Sequence, residues 1–178
     1  LLEQEADGWV VTIWDPAAAQ QCVDAGIGVA VALTVGGKTD SEHGSPLRIE
    51  GFVRTLSDGV YEEFERRHGG ARRHKQGVTA VVRVPCGTGG GLLVLNSSRE
   101  SPNSIHQITS VGIAPQQQKI LAAKGAIAPR AAYEPVSPHL IEVDSGGACW
   151  IGRGPSSYER ARTHLYEWTI PPKTGDNT

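Results

Sequence analysis

The chain has 178 residues, 39% of them hydrophobic, and its 17 Lys and Arg nearly cancel its 19 Asp and Glu to leave a net charge of −2. That length supports one ordinary domain with a core of its own, and the balanced charge gives no support to a nucleic-acid or membrane-surface role. No apolar run approaches the roughly 20 residues of a spanning helix, and the opening LLEQEADG lacks the charged-then-apolar layout of a signal peptide.

WVVTIW (9–14) is a compact apolar, β-branched run and predicts a strand. Asp15-Pro16 then supplies an N-cap acceptor and a proline at the first helical position. AAAQQCVDA (17–25) predicts the helix, with Gly26 as its stop. GVAVALTVGG (28–37) is the next strand, so the chain opens β-α-β. After the polar loop 38–46, LRIEGFVRTL (47–56) alternates as a half-exposed strand. Ser57-Asp58-Gly59 signals a tight turn, and VYEEFE (60–65) is expected to return as its antiparallel partner. RRHGGARRHKQG (66–77) is the basic stretch, with four Arg, one Lys and two His around Gly69-Gly70. VTAVVRV (78–84) and LLVLN (92–96) predict strands joined by the hairpin loop PCGTGGG. SPNSIHQITSVGI (101–113) predicts a short capped helix. KILAAK (119–124) and HLIEVD (139–144) predict strands, with one or two helical turns between Pro129 and Val136. The tail from Ser145 is rich in Gly, Ser and Pro, and its aromatics Tyr158, Tyr166 and Trp168 need a surface to pack on. The expected fold class is α+β (mixed α/β): a βαβ-like opening followed by a largely antiparallel sheet with short helices.

Chemistry is harder to find than structure. Cys22, Cys86 and Cys149 are widely spaced and odd in number, which argues against a disulfide framework and for a reducing compartment, hence a cytoplasmic protein. The six histidines, at 43, 68, 74, 106, 139 and 164, show no zinc-ligand spacing, so no metal site is expected within the chain. Cys86 lacks an identifiable base. GTGGG (87–91) lacks the Lys-Ser/Thr and helix of a phosphate loop. The basic stretch 66–77 suits either an anion, through arginine forks, or plain solvation. KILAAK runs through Gly125 into AIAPRAAYEPV, which brings Lys124, Arg130 and Tyr133 to a turn. Asn96, Ser98 and Arg99 leave the strand LLVLN. If these strand ends meet, the six residues form a candidate positioning site. Alternatively, Lys124 pairs with Glu134 or Asp144 and only fastens the sheet.

At these residues the sequence resembles the C-terminal region of the MlrC family, microcystinase C-like proteins regarded as zinc metallopeptidases. The resemblance rests on the order and spacing of Ser98, Arg99, Gly112, Ile113, Pro115, Lys124, Arg130, Ala131, Ala132, Tyr133, Glu134 and Pro135. It extends from IWDPAAAQQCVDAGIGVAVALTVGGKTD to HLIEVD, about residues 9–145. The chain departs from the family at Asn96, where threonine is frequent, at Ala128-Pro129, where many relatives carry His-Phe, and in the tail after Asp144. The resemblance implies that residues 1–35 form a βα segment at the junction with an N-terminal catalytic domain. Residues 36–145 would be the C-terminal domain, and 146–178 a tail. It also implies that the zinc ligands lie in that other domain. The lack of any Met and the start at Leu1-Leu2-Glu3, as if in the last turn of a helix, fit a piece of a longer polypeptide. The expected function is then that of a non-metal-binding domain of a zinc-dependent hydrolase or peptidase, shaping the substrate cleft or supporting assembly. Alone it should be inactive. In the parent, zinc would polarise the scissile carbonyl and activate water, while Arg99, Lys124, Arg130 and Tyr133 position a carboxylate or developing charge. The expected partners are the catalytic domain, a peptide or amide substrate and further copies of the chain, with neither nucleic acid nor membrane. A stand-alone anion-binding module and an oligomerisation domain remain the rival readings.

Overall fold

The computed structural model describes residues 1–40, 44–67, 69–125, 127–137 and 139–143. All of these but Val143 belong to one unit, Leu1–Glu142. The tail, with Tyr158, Tyr166 and Trp168, lies outside the described residues, as do His43, His68, His164, Cys149 and Asp144.

Among the described residues eight strands and three α-helices follow one another: β1 (Trp9–Trp14), α1 (Pro16–Ala25), β2 (Ala30–Val35), β3 (Leu47–Ser57), β4 (Val60–Glu62), β5 (Arg73–Lys75), β6 (Thr79–Val84), β7 (Gly91–Asn96), α2 (His106–Thr109), β8 (Ile120–Ala122) and α3 (Arg130–Tyr133). Six strands make one mixed sheet in the order β2-β3-β6-β7-β1-β8, and β4 and β5 form a separate hairpin. β1 runs parallel to both β7 and β8, whereas β2–β3, β3–β6 and β6–β7 are antiparallel. The class is α+β, as the strand-rich pattern with short helices predicts.

α1 forms where its signals place it. Asp15 accepts from the Ala18 N–H at 3.0 Å, Pro16 occupies the first turn, and Gly26, at φ +89°, ends the helix with its N–H on the Cys22 carbonyl. Ala18, Ala19 and Cys22 then pack on one face of the sheet, against Trp9, Leu33, Val82, Leu93 and Leu95. Ile108, Val111 and Ile113 cover the other face, against Val10, Val81 and Val94. Alternation along β6 and β7 supplies both cores, since successive side chains point to opposite faces.

Four expectations need correction. The opening is β-α-β in chain order, but β2 ends at the far edge of the sheet, antiparallel to β1 and not beside it. VYEEFE does not return on β3: only Val60–Glu62 is strand, and it pairs with Arg73–Lys75 inside the basic stretch. The Ser57-Asp58-Gly59 turn, closed by Gly59 N–H on Ser57 Oγ and Val60 N–H on Asp58 Oδ1, swings the chain off the sheet. The helix of 101–113 shrinks to His106–Thr109, and residues 139–143 of HLIEVD form no strand. There the edge strand β8, three residues long, offers little ladder to extend.

Candidate functional site

The three parallel strands β7, β1 and β8 end on the same rim of the sheet. From β1 the chain passes through α1, on one face, to β2 at one edge. From β7 it passes through α2, on the opposite face, to β8 at the other edge. The connections therefore leave the adjacent strands β1 and β7 for opposite faces of the sheet. Open α/β sheets bind ligands in the crevice outside the carboxyl ends of strands at such a switch point.

The residues at this rim are well fixed. Asn96 and Trp14 are register partners, and Asp15 N–H donates to the Asn96 carbonyl at 3.0 Å. Asn96 is buried, and its Oδ1 has no hydrogen-bond partner. The Trp14 indole N–H donates to the Ser97 carbonyl at 3.1 Å. The Arg99 guanidinium lies over the Trp14 ring, 4.1 Å from its centroid. Ser98 is exposed beside it, with its backbone N–H on the Gln76 carbonyl. Beneath the rim, Asp15 does more than cap α1: it also accepts from Gly36 N–H and pairs with Lys38 at 2.7 Å.

Asn96, Ser98 and Arg99 thus sit at the β7 end of this rim. Lys124 is exposed two residues beyond β8 and does not pair with Glu134. Arg130 is engaged by Glu142. Tyr133 closes a crevice lined by Val10, Thr12, Ile108, Leu121 and Ala122, and burial pushes its phenol up to about 12. No hydrogen bond or ion pair joins Lys124, Arg130 or Tyr133 to Asn96, Ser98 or Arg99.

A polar cluster that the sequence reading missed surrounds the β4–β5 hairpin. Tyr61 stacks on His74 with centroids 4.9 Å apart. His74 Nδ1 lies 3.1 Å from Glu100 Oε1, and its Nε2 3.0 Å from the Ala71 carbonyl. Glu63 is buried, which raises its pKa. The Ser104 hydroxyl, the Glu65 N–H and the neighbouring Arg67 and His106 outweigh that penalty and leave it lowered. Arg67 also donates to the Ala131 carbonyl at 2.6 Å, which pins the hairpin to α3. The basic stretch is therefore partly a strand with engaged side chains. Its only advance signal was the density of charge beside Gly69-Gly70.

Among the described residues no three His, Cys, Asp or Glu side chains converge on a common point, and both ring nitrogens of His74 are already occupied.

Comparison with known proteins bears on the whole of this arrangement. The family described as MlrC C-terminus matches residues 1–152. The chain belongs to the MlrC C-terminal family. Among MlrC relatives, "Microcystinase C" of Sphingomonas sp. is 27% identical over 134 residues, which cover 75% of this chain and 24% of that protein. A crystal structure described as a "Putative metallopeptidase" from Mesorhizobium sp. BNC1 shares the fold with a TM-score of 0.65 at 19% identity, over 74% of this chain and 25% of that one. The MlrC C-terminal chain thus spans about a quarter of the length of each of these relatives.

Proposed function

We propose that this chain is the C-terminal domain of an MlrC-type zinc-dependent hydrolase of peptide or amide bonds, working in the cytoplasm. It forms one wall of the substrate cleft and carries no metal of its own. The zinc belongs to residues outside this sequence, so no step of the metal chemistry runs through this chain. The observation that carries the reading is the family match over residues 1–152, set beside a relative of which the matched stretch covers only 24%. The rim at the ends of β1, β7 and β8 is the part of the domain offered to substrate. There Asn96, Ser98 and Arg99 are the positioning residues. Lys124, Arg130 and Tyr133 act at the border of that rim, where Arg130 and Tyr133 order the last segment of the unit. The free thiols Cys22 and Cys86 suit a reducing compartment.

The test is to incubate the 178-residue chain with zinc and a panel of short peptides, alone and together with the metal-binding domain of an MlrC relative. Turnover is expected only in the combined sample. Robust hydrolysis by the chain alone rejects the proposal.

A further inference from the structure

We propose that Arg99, held on the Trp14 ring at the switch point between β1 and β7, is a docking group for a carboxylate. Its peptide ligand, a free C-terminus or an acidic side chain, rests on the hydrolase reading above; its oxyanion chemistry does not.

Three features lead there. Trp14 is 39% exposed although it ends the central strand of the parallel set. Its one polar group is satisfied internally by the Ser97 carbonyl, so the ring stands at the rim as an apolar plate of fixed orientation. Arg99 uses that plate. Stacking 4.1 Å from the ring centroid holds the guanidinium by its face and leaves the in-plane N–H donors, the edge that matches a carboxylate fork, unspent.

The third feature is electrostatic. Arg67 and Arg130 are each paired with a carboxylate, Glu63 and Glu142. Arg99 is paired with none among the described residues, even though Glu100 is its neighbour in sequence. Glu100 turns instead to His74, at 3.1 Å. The arrangement keeps an oriented, unneutralised guanidinium at the position where sheets of this topology take ligands. Ser98, exposed beside it, adds a hydroxyl.

Binding rather than turnover tests this, so its failure leaves the hydrolase reading standing. Isotope-labelled chain is titrated with an acetylated dipeptide bearing a free carboxyl terminus, with its C-terminally amidated twin, and with inorganic phosphate. The Trp14 indole N–H and Arg99 Nε–H resonances are followed. The free acid is expected to shift both saturably and the amide to shift neither. Arg99→Gln should weaken the free acid by about tenfold or more, with Arg99→Lys intermediate because it keeps charge but loses the fork. Trp14→Leu should weaken it too, and unchanged dispersion of the remaining resonances shows that each variant is folded. Equal response to acid and amide, no saturable response to either, or undiminished binding by Arg99→Gln overturns the proposal. Tighter binding of phosphate than of the free acid overturns the carboxylate assignment.

Discussion

Single residues decide how tightly the sheet closes. A Cβ placed on Gly91 would lie 1.9 Å from the Trp9 ring, and Trp9 anchors the core on the α1 face. Gly91→Ala must therefore push the indole out of its site. We expect a loss of about 1–3 kcal/mol in chemical denaturation, the usual cost of overpacking, together with a change in Trp9 fluorescence. Burial also governs two phenols. It raises both Tyr61 and Tyr133, the latter to about 12 against an ordinary 10.0. In the unfolded chain Tyr133 ionises near the ordinary value, so its contribution to stability is complete below pH 10 and is lost as pH rises through about 12. Spectrophotometric titration should show two tyrosines ionising late and together with alkaline unfolding. Normal titration of all the tyrosines in folded protein contradicts this.

At the scale of elements, Asp15 joins three pieces of chain by serving α1, Gly36 and Lys38 at once. Asp15→Ala is expected to cost about 2–3 kcal/mol, the sum of a lost cap and two lost polar contacts. Asp15→Asn keeps the cap acceptor and should cost clearly less; equal losses in denaturation would mean that the cap contributes little. Much of this level was legible in advance. β1, α1, β3, β6 and β7 carry complete local signals: β-branched runs, an Asp-Pro start, a glycine stop. What was not legible is set by distant partners. VYEEFE reads as a strand over its whole length, yet Glu63 beyond the strand is buried and Phe64 is 67% exposed. The chain leaves the ladder after Glu62, and the buried Glu63 carboxylate is met by the Glu65 N–H and by Arg67. Local hydropathy holds no trace of those partners. The strand expected in HLIEVD is absent over 139–143 for a related reason, because an apolar alternation needs a neighbouring edge to pair with.

For the whole molecule, the sheet order could not be read from the order of elements. β2 leaves its apparent βαβ partner because α1 crosses one face while Leu33 and Val35 join a core shared with β3 and β6. The same crossing creates the divergence between β1 and β7. It gathers Asn96, Ser98 and Arg99 with the unforeseen Trp14, with no hydrogen bond or ion pair from there to Lys124, Arg130 or Tyr133. The residues of this rim were thus visible in the sequence, but their aromatic support was not, since exposure of a strand-end tryptophan depends on which helices cover the sheet. The central claim is that this domain works only beside a metal-bearing partner. The most direct measurement is the zinc content of the purified 178-residue chain after dialysis against excess zinc, read with its peptidase activity. The account predicts less than about one tenth of an equivalent of tightly held metal and no turnover, since a structural zinc site would bind with about 10–16 kcal/mol. One full equivalent, retained through dialysis and accompanied by hydrolysis, would contradict it.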